Sequence, residues 1–231
     1  MNIVQIKDLN KFYRKCQALS SIDLNLDSGK IIGLVGPNGS GKTSLLRILG
    51  GFDMLYTGEI KIDGHRPASK EAKALTSYLP DFPSLADWQN SNQLIAMYQE
   101  YFPDFNADKA KELLAFFKLD PQQKIKTMSK GMHEKLQILV TISRQAKLYL
   151  LDEPISGVDP ATRKVIIQSI IRNYAEDALL IIATHLIYDI ESIIDDVIFL
   201  NQGKVQLFSS ADTLREKENK SINTIFEEAF R

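Results

Sequence analysis

Three short stretches of this 231-residue chain carry residues whose types and spacing suit phosphate chemistry. The first, residues 36–44, reads GPNGSGKTS and fits G-x-x-x-x-G-K-[ST]. Gly36, Gly39 and Gly41 let backbone N–H groups wrap a phosphate chain, with Pro37, Asn38 and Ser40 completing the loop. Lys42 reaches the outer phosphates, Thr43 offers a hydroxyl to Mg²⁺, and Ser44 opens a helix whose N-terminal dipole favours anions. The second, LYLLDEP, ends in Asp152 and Glu153. Adjacent residues of a regular strand point to opposite faces, so these carboxylates share a task only if the chain turns between them. At the C-terminal end of a strand it does, leaving Asp152 to hold the metal and Glu153 to polarise a water against a γ-phosphate. The third, TMSKGMHEK at residues 127–135, reads as a helix start capped by Ser129. His185 follows LLIIAT at what would be the same sheet end, where it could donate to the γ-phosphate.

These residues need elements to hold them. IIGLV (31–35), LYLL (148–151) and LLIIA (179–183) are apolar at every position, as parallel strands covered on both faces are. SIDLNL and GEIKIDG alternate apolar and polar residues, predicting half-exposed antiparallel strands. From 83 to 146 three stretches carry helical periodicity and no good strand appears, predicting a helical lobe inserted into an α/β core. LREKENKSINTIFEEAF predicts one or two terminal helices.

Composition bounds the rest. The chain is 44% hydrophobic and 25% charged, with formal net charge -1. That balance gives no general case for nucleic acid or an anionic membrane as partner. The single cysteine, Cys16, forms no intrachain disulfide, which fits a reducing compartment. The N-terminal MNIVQIKDLNK lacks a signal-peptide design, and the apolar runs fall short of the about 20 residues that span a bilayer. A soluble protein is expected, with any membrane role coming through a partner.

Taken in order, the phosphate loop, SKGM, LLDEP, SGVDP and ATH resemble the ATP-binding subunit of ABC transporters over nearly the whole chain. The resemblance implies a single ATPase domain, 1–231, with a P-loop, RecA-like α/β core. Residues 1–82 and 147–210 would form that core with an antiparallel β subdomain, 83–146 a helical subdomain and 211–231 a C-terminal helical tail. It implies ATP and Mg²⁺, hydrolysis by Glu153 and His185, and adenine stacked on Tyr13. It further implies that Ser129, Lys130 and Gly131 close on ATP held by a second subunit, and that Asp159 of SGVDP lies at that interface. The family signature typically reads LSGGQ; here it is MSKGM, with Ser129 and Gly131 kept. Asp81, in YLPDFPSL, stands where the family usually has a Gln that contacts Mg²⁺ and water. Residues 85–105, with Trp88, occupy the region that receives a coupling helix of the membrane partner; ordinary packing of the lobe is the other reading.

The partners implied are a second ATP-binding subunit, identical or related, and a separate transmembrane permease, placing the protein on the cytoplasmic face of the cell membrane. The stretch from YFPDF to SKGM is similar to bacterial drug, bacteriocin and peptide exporters. Two alternatives remain. One is a non-transport ATPase of the same fold, in translation or DNA maintenance; a single cassette without heptads speaks against it. The other is a nucleotide-sensing switch without turnover, which the presence of both Glu153 and His185 speaks against.

Overall fold

The computed structural model describes residues 2–82 and 85–230. Two antiparallel strands, β1 (Asn2–Tyr13) and β2 (Cys16–Asp27), lead into β3 (Lys30–Val35) and α1 (Lys42–Leu49). After β4 (Thr57–Ile62) come α2 (Lys70–Leu75) and β5 (Thr76–Leu79), then three helices: α3 (Ser91–Tyr101), α4 (Ala107–Phe116) and α5 (Lys130–Ile142). The chain returns through β6 (Leu148–Asp152), α6 (Pro160–Asn173), β7 (Leu179–Thr184) and the one-turn α7 (Ile187–Ile190). It closes with β8 (Asp196–Asn201), β9 (Lys204–Ser210), α8 (Ala211–Glu218) and α9 (Ile222–Ala229).

The strands form two sheets. One is antiparallel, in the order β2-β1-β4; SIDLNL and GEIKIDG both fall in it. The other runs β5-β6-β7-β3-β8-β9, parallel except where β9 returns along β8. Its central strands are apolar throughout because each feeds two cores. Ile32 and Leu34 of β3 join β1, β2 and α1 on one face, while Ile31 and Val35 join the helices of the other. Leu150 and Leu151 of β6 divide the same way, as do Ile181 and Ile182 of β7.

Some elements differ from the reading of the sequence. α5 stops at Ile142 instead of running on to Ala146, because Arg144 turns inward. Its guanidinium bonds both oxygens of Asp104 at 3.1 Å and the carbonyls of Thr76 and Ala74 at 2.6 Å each. A buried charge needs such partners, and a continuing helix would aim the side chain elsewhere. The sequence pattern does not mark β5, β8 or β9; β5 and β8 run parallel to their neighbours β6 and β3, and β9 is the antiparallel edge. Between β5 and β6 the described residues form helices and turns with two isolated bridges. The expected boundary at 82/83, and Pro83 and Ser84 of YLPDFPSL, fall outside the described residues. Among the described residues no helix is long and apolar enough to cross a membrane.

Candidate functional site

Parallel pairing puts the C-terminal ends of β3, β6 and β7 at one edge: Val35 pairs with Thr184, and Asp152 with Ala183. The 36–41 loop leaves that edge and turns into α1. Gly41 sits at the helix N-cap with φ +109°, where a Cβ would stand 2.6 Å from Ala18 O. Only glycine fits there. No side chain caps α1, so its first N–H groups stay available to an anion. Lys42 is buried and its ammonium donates to Gly36 O at 2.7 Å and Pro37 O at 3.2 Å. Burial lowers its pKa, against the pull of Glu153 and Asp152. A cation held this way is under-neutralised and suited to a phosphate.

Thr43 Oγ1 donates to Asp152 Oδ1 at 3.1 Å. The other oxygen of Asp152 is buried without a hydrogen-bond partner, and burial pushes the carboxyl up to about 6. A hydroxyl and a carboxylate with an unused buried oxygen fit a hard divalent cation. Mg²⁺ is typically held by one or two such groups plus phosphates and water.

Glu153 leaves the strand geometry with φ +50°, and its N–H donates to Ala183 O at 2.8 Å. That turn brings its carboxylate to the same edge as Asp152. Thr184 Oγ1 donates to Glu153 Oε2 at 3.1 Å, and His185 Nδ1 lies 3.0 Å from each carboxylate oxygen. With Nδ1 engaged there, Nε2 is the free nitrogen of a half-exposed ring. Thr184 carries no sequence signal of this role. It directly precedes His185, but only its placement opposite Glu153 reveals that it holds the carboxylate. Asp81, Glu134, Asp152 and Glu153 line one small cleft between α5 and the end of β6. Burial, then Glu153, raises Asp81, and Lys130 and His185 pull it back.

Other expected residues sit apart. The Tyr13 hydroxyl donates to Asp53 Oδ2 at 2.9 Å, beyond the far end of α1, with Lys11 Nζ 4.4 Å from the ring centroid. Ser129 caps α5, accepting from Met132 N at 3.3 Å. Lys130 pairs with Glu134 at 3.9 Å, and both press on the SGVDP loop: a Cβ at Gly157 would lie 2.6 Å from Lys130 Nζ. Among the described residues no hydrogen bond joins residues 129–131 to the phosphate loop of their own chain. Asp159 caps α6, accepting from Ala161 N and Thr162 N at 3.1 Å.

The family model described as ABC transporter matches residues 19–156. The chain belongs to the ABC transporter family. It is an ATPase of that family, binding nucleotide on a P-loop fold. An uncharacterised ABC transporter ATP-binding protein of Bacillus subtilis is 32% identical, over 95% of this chain and 73% of the relative. A lantibiotic transport ATP-binding protein of Streptococcus pyogenes is 26% identical, over 95% of this chain and 97% of its own. A dimeric ATP-binding cassette in a post-hydrolysis state, bound to ADP and Pi, superposes with a TM-score of 0.79 at 21% identity, covering 90% of this chain and 98% of that one. The ABC transporter fold therefore carries the phosphate loop, the Thr43–Asp152 pair and the Glu153–His185 pair on one sheet edge.

Proposed function

We propose that this ABC ATPase powers an exporter by closing head to tail with a second ATP-binding subunit around two ATP molecules. The observation that carries it is Glu153, turned to the sheet edge beside Asp152 and held there by Thr184 and His185. A carboxylate fixed at that point accepts the proton of a water attacking the γ-phosphate. His185 holds Glu153 through Nδ1 and offers Nε2 to the substrate. Residues 36–44 cradle the phosphates, Lys42 exchanges its two carbonyl partners for phosphate oxygens, and Tyr13 turns from Asp53 to offer its ring to adenine. Thr43 and Asp152, with Asp81 across the cleft, would hold Mg²⁺, which when bound would supply positive charge against that of the phosphates. Ser129, Lys130 and Gly131 take the γ-phosphate of the partner's ATP, and Asp159 lies along the joint.

The division into an α/β core (1–82 and 147–210), a helical lobe (83–146) and a tail (211–231) follows the same reading. The permease docks between core and lobe. A groove of about 450 Å³ lies there, lined by Arg47, Phe52, Tyr78, Tyr98, Phe102 and Arg144. Trp88, in the segment expected to meet the permease, is exposed. This docking holds the otherwise water-exposed subunit against the inner face of the membrane. The near full-length match to a lantibiotic transport protein supports a transport role, and export rests on the likeness of the YFPDF to SKGM stretch to bacterial exporters. Cargo movement in vesicles reconstituted with the permease tests the direction, and movement toward the ATP side would reverse it.

Glu153→Gln tests the shared site. The variant should lose turnover at least about 100-fold while still binding ATP, because it keeps the shape and loses the base. It should elute as a dimer with Mg-ATP and as a monomer without. A variant that binds ATP yet stays monomeric would refute the shared-site arrangement.

A further inference from the structure

One guanidinium joins the SGVDP loop to the segment that follows His185. Arg163 stands in the first turn of α6. Its Nε donates to Val158 O at 3.0 Å, and its Nη1 donates to Asp189 Oδ2 at 3.1 Å. Asp189 lies on α7, four residues after His185. Both side chains are largely buried, 22% and 17% exposed, so the pair is less screened than a surface bridge. The planar fork of an arginine serves two acceptors in fixed directions at once, which a flexible ammonium does poorly.

Each end of this strut leads to a different part of the site. At the loop end, Val158 is buried, and the neighbouring Gly157 is in close contact with Lys130 and Glu134. The loop therefore follows the start of α5. At the other end, the chain from Asp189 back to Thr184 is one short turn. Leu186 N donates to Thr184 Oγ1 at 3.0 Å, and Thr184 and His185 hold Glu153. α7 has independent anchors: Ile187 and Ile190 are buried, and Glu191 accepts from Ile222 N at 2.7 Å at the start of α9. Losing Arg163 would leave α7 folded but free to shift relative to the loop.

We propose that Arg163 is a positioning residue that sets His185 against Glu153 according to where the SGVDP loop lies. A movement at the partner-facing turn of α5 reaches the hydrolytic pair through the loop, Arg163 and Asp189, with no contact between Arg163 and nucleotide. This rests on the assignment of Glu153 and His185 above.

The test is steady-state ATPase of the full chain at saturating Mg²⁺, with thermal melts and fluorescent-ATP binding on every variant. Arg163→Ala and Asp189→Asn should each lower kcat about tenfold, with KM and ATP affinity within twofold and the melting temperature within a few degrees. The double variant should fall no further than either single one, since both break one connection. Arg163→Lys, which keeps the charge toward Asp189, should recover part of the loss. His185→Ala and Glu153→Gln, run alongside, separate the two claims. If they keep turnover, the underlying assignment fails. If they lose it while Asp189→Asn keeps kcat within twofold of the parent, or raises KM alone, the strut is overturned and Arg163 only packs α6.

Discussion

Asp152 is held at a cost to folding. Burial raises its carboxyl from 3.8 to about 6, the bond from Thr43 opposing. The folded chain thus holds this proton more tightly than the unfolded chain. The stability this gives is complete below about pH 4 and is lost as pH rises through about 6. A raise of roughly two pKa units corresponds to about 3 kcal/mol as an upper figure. Asp152→Asn should therefore raise the melting temperature of the nucleotide-free protein at pH 7.5 by about 5–10 °C. It should give little gain at pH 4 and should abolish turnover. A melting temperature that falls at pH 7.5 would show that Asp152 is compensated in a way its unpartnered oxygen does not suggest. The pair of acids was legible in the sequence as far as the requirement that the chain turn after Asp152, and Glu153 does adopt φ +50°. That Thr184 holds Glu153 was not legible, because it acts across elements and no local spacing marks it.

The same limit operates on elements. β3, β6 and β7 could be read because burial on both faces forces an unbroken apolar run. β5 escaped because TSYL buries two hydroxyls, and a polar residue in a strand is legible only when its partner is known. Thr76 Oγ1 donates to Ala72 O at 2.8 Å, and Ser77 Oγ donates to Thr141 O at 2.8 Å. The second bond has a structural purpose. Thr141 lies in the last turn of α5, where carbonyls lack intrahelical partners, so Ser77 closes the end of the helix that Ser129 opens. Ser77 and Thr141 are both buried, so no water replaces a lost hydroxyl. Ser77→Ala should destabilise the fold by about 1–3 kcal/mol through the unpaired carbonyl. Denaturant melts would register this as a lower midpoint at unchanged slope. A change below about 0.5 kcal/mol would mean that the carbonyl finds another partner and that β5 and α5 are not tied at this point.

For the whole molecule, one face stays unfinished in a single chain. His185 is 44% exposed, Lys130 72%, and Ser129 caps its helix without touching its own phosphate loop. In the head-to-tail pair proposed above, the α5 turn of one copy would meet the phosphate loop of the other, a contact that a single copy does not make by hydrogen bonds among the described residues. A ligand bound between copies stabilises the folded state by mass action in both ligand and protein, whereas a ligand bound within one copy depends on ligand alone. In the Glu153→Gln variant, where ATP persists, the melting temperature with saturating Mg-ATP should rise with protein concentration, by several degrees over a hundredfold range. With Mg-ADP, which lacks the γ-phosphate that the α5 turn would grip, it should stay constant. Differential scanning calorimetry at matched nucleotide saturation reads both. A melting temperature independent of protein concentration in ATP would place the whole nucleotide contact within one chain, and the α5 turn would then be a helix cap and nothing more.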